Sequence, residues 1–196
     1  KISCGMRGAD GAVDHVWREG DVVRYHTIAE APPRGLCGSG LLDLVAVLLE
    51  LGIIDESGRM EGKQYLLCEN VILTQKDVRE VQLAKAAIRA GIELLAQKMG
   101  MQVADIRQVY LAGAFGNYLD PVSACRIGMI PPVLLDRITP IGNAAGEGSK
   151  LCALSREEFD YAARLARETE FLELASLPQF QDCYVDALEF CEEEEE

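Results

Sequence analysis

Apolar and polar positions alternate in the first part of the chain. Residues 12 to 17 read Ala-Val-Asp-His-Val-Trp and residues 22 to 28 read Val-Val-Arg-Tyr-His-Thr-Ile, with Arg18-Glu19-Gly20-Asp21 between them. Alternation on either side of a glycine turn predicts two strands joined as a hairpin. Pro32, Pro33 and Gly35 break the chain, and the period then changes: Leu42, Val45 and Leu49 are spaced for a helix, which Ser39 is expected to cap and Gly52 to stop. Short apolar runs at 65 to 67 and 71 to 73 read as strands.

A second helix is expected from Thr74, with Asp77 three residues on as in a capping box and Gly100 as terminator. Its apolar positions Val81, Ala84, Ile88, Ile92 and Leu95 step by three or four and predict one core face. Residues 108 to 112 form a predicted strand that runs into Gly113-Ala114-Phe115-Gly116-Asn117. Asp120 then caps a helix whose first residue is Pro121, where a missing amide hydrogen costs nothing. Residues 137 to 141 predict another strand, followed by a glycine-rich turn at 142 to 150 and a helix through Leu151 and Leu154. Ser155 and Glu158 open a further long helix carrying Phe159, Ala162, Leu165 and Phe171, limited by Pro178, and residues 184 to 190 predict a last strand. Strand, glycine turn and helix in repeated order indicate an α/β layer structure.

At 196 residues the chain is long enough for one domain with a proper core, or one large domain with an appendage. No apolar run approaches the roughly 20 residues of a membrane span, so no membrane partner is expected. Net charge is −13, and five of the negatives are Glu192 to Glu196, read as a disordered acidic tail over 191 to 196. Without them the chain is still at −8, which argues against a grip on nucleic-acid phosphates. Seven cysteines, at 4, 37, 68, 125, 152, 183 and 191, show no C-x-x-C spacing and have only His15 and His26 beside them. Free thiols in a reducing, cytoplasmic compartment fit this usage better than a metal site or disulfide framework, and no metal ligands are assigned. Trp17, the single tryptophan, is expected in the hairpin core or at an interface.

Three small-residue turns could carry chemistry: Gly38-Ser39-Gly40, Gly113 to Asn117, and Gly142 to Gly148. Glycines after strands let a ligand approach the backbone, and free amides at helix starts attract anionic oxygens. Taken singly, each turn is explained better by close chain packing than by a ligand, and none matches the G-x-x-x-x-G-K-[ST] phosphate loop, but two in successive strand–turn–helix units favour a nucleotide.

Several longer words resemble the C-terminal domain of the reductive activators of corrinoid enzymes. They are Ile2-Ser3-Cys4-Gly5-Met6-Arg7-Gly8, the stretch from Gly35 to Asp43 (GLCGSGLLD), Thr74 to Glu80 (TQKDVRE), Gln82-Leu83-Ala84-Lys85, and Tyr110 to Asn117 (YLAGAFGN), continued by Gly142-Asn143-Ala144-Ala145-Gly146. The resemblance runs over nearly the whole chain. It implies an α/β, ribonuclease-H-like, actin-like ATPase fold over residues 1 to 190, present as its C-terminal portion, with a mixed sheet flanked by helices.

By that resemblance, Gly113, Ala114, Phe115, Gly116 and Asn117 form the adenosine motif, and Gly142, Asn143, Ala144, Ala145 and Gly146 border the same cleft. Lys85, near Arg79 and Gln82, corresponds to a helix facing adenine or ribose, against the alternative of a solvent-exposed helical lysine. No catalytic residue is assigned, because the D-x-G-T phosphate loops of this superfamily have no match in residues 1 to 196. The second of them resembles a segment expected just upstream of this chain, so the chain by itself is expected to be catalytically incomplete.

In the complete protein the resemblance implies ATP with Mg2+ and a [2Fe-2S] cluster in an N-terminal domain outside this chain. The implied activity is ATP-dependent electron transfer that restores cobalt(I) on a corrinoid protein of a methyltransferase system. Expected partners are that corrinoid protein and the upstream part of the same polypeptide, with a homodimer left open. Two rivals stand beside this reading: an activator similar to those of 2-hydroxyacyl-CoA dehydratases, and a non-enzymatic protein-binding module of the same fold.

Overall fold

The computed structural model describes residues 1–190, apart from the side chain of Ala114; the acidic tail expected at 191 to 196 lies outside the described residues. The alternating segments form a hairpin, β1 (Ala12–Glu19) and β2 (Val22–Thr27), closed by Gly20 and Asp21, with Gly20 in the left-handed region at φ +61°. A two-residue strand, β3 (Gly35–Leu36), adds to β1 in parallel. Trp17 is not hairpin core: it is 39% exposed and stacks on His15 with ring centroids 5.3 Å apart.

The helix α1 (Gly38–Glu50) is the centre of the molecule, buried from Ser39 through Leu48. Its cap residue is Cys37, two positions before the expected Ser39. Ser39 lies within the first turn and donates its hydroxyl to the Asp14 carbonyl at 2.8 Å, so it ties helix to strand instead of capping. Gly52 ends the helix as expected, at φ +67°. The strands β4 (Gln64–Cys68) and β5 (Val71–Thr74) form an antiparallel pair that leads into α2 (Gln75–Lys98).

The capping box at the start of α2 is complete. Thr74 Oγ1 accepts from the Asp77 amide, and Asp77 Oδ2 accepts from the Thr74 amide at 2.9 Å and its hydroxyl at 2.7 Å. The other Asp77 oxygen takes the Ser3 amide at 2.7 Å, which pins the start of the chain to this helix. Burial pushes the Asp77 carboxyl up, but the bonds from Thr74 and Ser3 outweigh it and hold the group below the usual carboxylate range.

The buried face of α2 differs from the one predicted. Val78, Val81, Gln82, Lys85, Ala86, Ala90, Gly91 and Leu94 point inward, whereas Ala84, Ile88 and Leu95 face solvent. Small residues and two polar ones take the inner stripe because later chain, not the sheet, packs there.

Beyond α2 come β6 (Val109–Ala112), α3 (Gly113–Tyr118), α4 (Pro121–Arg126), β7 (Ile138–Gly142), α5 (Ala144–Leu154), α6 (Arg156–Glu168) and α7 (Phe180–Asp186). Asp120 caps α4 ahead of Pro121 as expected, accepting the Ser123 amide at 2.9 Å. The turn at 142 to 150 is mostly the body of α5, the long helix stops at Glu168 short of Phe171, and the expected last strand is instead α7 followed by a turn. Tyr184 and Val185 alternate weakly enough to suit a helix once α2 offers a surface to pack on.

The architecture is mixed α/β, with sheets flanked by helices. Core is unevenly shared. Val13, Val16, Leu36, Leu44, Leu48, Leu73, Val78, Ile127 and Leu134 belong to one cluster, and from Leu135 to Glu189 no residue is buried. No helix among the described residues is long and apolar enough to cross a membrane.

Candidate functional site

The glycine-rich segments meet because β6 and β7 are parallel neighbours that end at the same level, Ala112 beside Gly142. Each strand passes through a left-handed glycine, Gly113 at φ +87° and Gly142 at φ +62°, and each feeds a helix, α3 and α5. Such a turn lets a strand become a helix without an intervening loop, a conformation that costs glycine nothing. Carboxyl ends of parallel strands with helix starts above them are where ligands sit in α/β folds.

Packing accounts for some of the small residues. A Cβ on Gly116 would lie 3.1 Å from the Leu111 carbonyl carbon, so Gly116 lets α3 fold back on β6. Gly146 leaves room for the Asn143 side chain, whose Oδ1 caps α5 by accepting the Gly146 amide at 3.1 Å. Other positions are open: nothing lies within 4 Å of a Cβ built on Gly113, and Gly142 meets only Asn117 Oδ1 at 3.8 Å. Ala144 and Ala145 form the first turn of α5. Ala114 lies in the backbone of α3 between Gly113 and Phe115.

The third glycine turn, not assigned to the site from sequence, belongs beside it. Phe115 lies over Gly38, where a Cβ would come within 2.6 Å of the ring, while Gly40 is pressed against β1, its Cβ position 2.2 Å from the Val13 carbonyl oxygen. The signal was present in the Gly-Ser-Gly word at the start of α1, but spacing along the chain does not show which turns converge. Neither Gly113–Asn117 nor Gly142–Gly146 carries a charged side chain. The exposed ring of Phe115 and the bare glycine backbone therefore suit an uncharged, flat group better than a phosphate.

Lys85 stands apart from this convergence, and it is not a solvent-exposed lysine either: it is 2% exposed. Its ammonium donates to the Glu189 carbonyl and lies 5.1 Å from the centre of the Phe190 ring. Gln82, one helical turn away, donates to the Leu188 carbonyl at 2.9 Å and the Ser57 carbonyl at 3.1 Å.

Sequence reading missed a further pair. His15 Nδ1 lies 2.6 Å from Oδ2 of the buried Asp43, which also accepts the Val16 amide at 3.2 Å. Burial raises the Asp43 carboxyl above its ordinary value, opposed by Ser123, His15 and the Val16 amide. The Ser123 hydroxyl gives its well-formed bond to Asp120, leaving Asp43 Oδ1 without one among the described residues. Asp43 thus ties α1 to β1 from behind the site. Among the described residues no three His, Cys, Asp or Glu side chains converge as a metal site.

Asn143→Ala is expected to lower stability by about 1 kcal/mol, the usual worth of an N-cap. Urea denaturation checks it, and an unchanged midpoint would show that the cap contributes nothing.

A model of the C-terminal domain of RACo, described as the ASKHA domain, matches residues 1–196. The corrinoid activation enzyme RamQ of Eubacterium limosum is 36% identical over 212 residues, an alignment covering 94% of this chain and 36% of that protein. The [Co(II) methylated amine-specific corrinoid protein] reductase of Methanosarcina barkeri is 27% identical over 158 residues, covering 80% of this chain and 29% of its own length. The solved structure of a reductive activator for corrinoid, iron-sulfur protein superposes with a TM-score of 0.87 at 32% identity, over 96% of this chain and 34% of that one. The chain therefore spans about a third of the length of the proteins it matches.

Proposed function

We propose that this chain, which belongs to the family of C-terminal ASKHA domains of RACo, supplies the adenosine-facing side of the nucleotide site in an ATP-dependent activator of a corrinoid protein. The observation that carries the reading is the pair of parallel strands ending level in left-handed glycines, with open backbone at Gly113 and the exposed ring of Phe115 beside it. A base and its sugar need a flat apolar surface and close backbone approach, and little charge. Gly113 to Asn117 and Gly142 to Gly146 offer that, with Asn117 and Asn143 as the amide side chains nearest the opening.

The names of the relatives support the wider role, since each refers to corrinoid activation or reduction. On this reading magnesium and the β- and γ-phosphates are held by upstream loops, and electrons come from a [2Fe-2S] cluster in another part of the polypeptide. The chain's own residues bind and orient the nucleoside, and closure of the two halves over it moves the redox partner. The corrinoid protein of a methyltransferase system is the partner, restored to its cobalt(I) state.

Calorimetric titration of magnesium–ATP and magnesium–ADP tests this, into the chain and into a longer polypeptide that includes the native sequence upstream of Lys1. Magnesium-dependent binding by the longer form is expected, weakened at least about tenfold by Phe115→Ala, which removes the exposed ring beside the opening. No binding by either form, with both folded, overturns the reading.

A further inference from the structure

Asp43 sits where the hairpin, α1 and α4 meet, and its two oxygens are treated unequally. Oδ2 accepts the Val16 amide at 3.2 Å and faces His15 Nδ1 at 2.6 Å. Oδ1 accepts nothing among the described residues, although the side chain is 1% exposed. A buried charged acceptor left without a donor is costly. One donor stands nearby: the Ser123 hydroxyl, in the first turn of α4, lies close enough to help hold the Asp43 carboxyl down against burial, yet it donates to Asp120 Oδ2 at 2.9 Å.

A hydroxyl has one proton to give, so Ser123 serves Asp120 or Asp43 and not both. Its departure from Asp120 leaves the α4 cap in place, because the Ser123 amide donates to the same Asp120 oxygen at 2.9 Å. The two arrangements differ in which carboxylate the hydroxyl satisfies. An element with two discrete arrangements is what carries coupling between separate sites.

The element joins two different surfaces. Asp120 follows closely on α3, so the corner from Gly113 to Asp120 carries Phe115 and Asn117, and Phe115 lies over Gly38 at the start of α1. Asp43 is on that same helix. At the other end His15 is half exposed on the hairpin and stacks on Trp17. His26 supplies the contrast. Its Nδ1 lies 2.7 Å from Asp14 Oδ1 and its side chain is 52% exposed against 53% for His15, but Asp14 belongs to the hairpin itself. Both histidines rest on a carboxylate, and the carboxylate of His15 is the one that reaches α4.

We propose that Asp43 and Ser123 are positioning residues for the nucleoside site: the Ser123 hydroxyl exchanges between Asp120 and Asp43, and the exchange couples His15 on the hairpin to the corner that carries Phe115 and Asn117. The proposal rests on the nucleotide reading above. Transfer to Asp43 draws the first turn of α4 toward α1, on whose Gly38 Phe115 already lies, so a flat group stacked on Phe115 favours that arrangement. His15 favours it too, by holding Asp43 in place. Reciprocity then requires nucleotide to strengthen the hold of Asp43 on the Val16 amide.

Hydrogen exchange of the Val16 amide with parallel calorimetry tests this on the longer polypeptide, with magnesium–ADP as the probe. Saturating ADP is expected to slow that exchange at least about threefold. Ser123→Ala and His15→Gln are each expected to weaken ADP binding by about three- to tenfold and to abolish the slowing at Val16. His26→Gln should change neither. If Ser123→Ala does not fold, His15→Gln, at a half-exposed position, decides the matter. ADP binding with Val16 unaffected, or with His15→Gln and His26→Gln alike, overturns the coupling and leaves the nucleotide site standing. Slowing that persists in folded Ser123→Ala overturns it as well, since the effect then bypasses the hydroxyl. Failure of every folded form to bind ADP overturns the nucleotide reading and this proposal with it.

Discussion

Gly40→Ala is expected to cost about 3 kcal/mol, at the upper end of what overpacking does to a core. The added methyl would sit 2.2 Å from the Val13 carbonyl oxygen and 2.7 Å from its carbon, both of them backbone. Neither element can yield. Helix α1 is buried on all sides from Ser39 to Leu48, and β1 is held by β2 on one edge and by β3, Ser39 and Asp43 on the other. At about 2–4 °C per kcal/mol for a chain of this size, the melting temperature should fall by roughly 6–12 °C. Gly148→Ala is the control of opposite sign: nothing lies within 4 Å of its Cβ position, it is inside α5, and alanine should gain roughly 0.5–1 kcal/mol by helix propensity. Equal effects from the two substitutions would refute the packing argument.

Asp77→Ala should also be severe at neutral pH, about 2–3 kcal/mol, because it removes the buried, charged acceptor that takes the Thr74 amide and hydroxyl and the Ser3 amide. The loss carries a pH signature. The native Asp77 carboxyl titrates below its unfolded value, so its stabilisation is complete above about pH 4 and disappears as pH falls through the native value. The gap between wild type and Asp77→Ala in urea midpoints should therefore narrow on acidification below about pH 4. Asp43 has the opposite sign. Its native carboxyl is raised by burial, so stability from that group declines as pH rises from its unfolded value to its native one. A wild-type-to-variant gap that is constant from pH 7 to pH 3 would remove the linkage argument for Asp77.

Local chemistry was readable wherever it is decided within a few residues. Hairpin alternation, the Thr74–Asp77 box and the Asp120–Pro121 helix start each depend on neighbours in sequence, and each stands in the structure. What failed depends on distant chain. The inner face of α2 is Val78, Gln82 and Lys85, not Ala84 and Ile88, because residues 188 to 190 arrive from the far end to satisfy the polar groups. Ser39 has a cap's chemistry but sits within reach of Asp14, and a tertiary hydrogen bond took it. Of the candidate site, both glycine segments were named from sequence and β6–β7 pairing brings them together, while Gly38 under Phe115 and the Asp43–His15 pair needed the fold.

The absence of buried residues between Leu135 and Glu189 bears on cooperativity. Unfolding enthalpy and heat capacity follow the surface removed from water, and the fully buried part of that surface belongs almost entirely to residues before Leu135. Strand β7 with α5 and α6 adds little to the common transition, since parallel strands ordinarily gain their stability from cover on both faces. A calorimetric trace of the chain would have a broad, low-enthalpy onset ahead of the main peak, and a single midpoint would describe the α1-centred cluster alone.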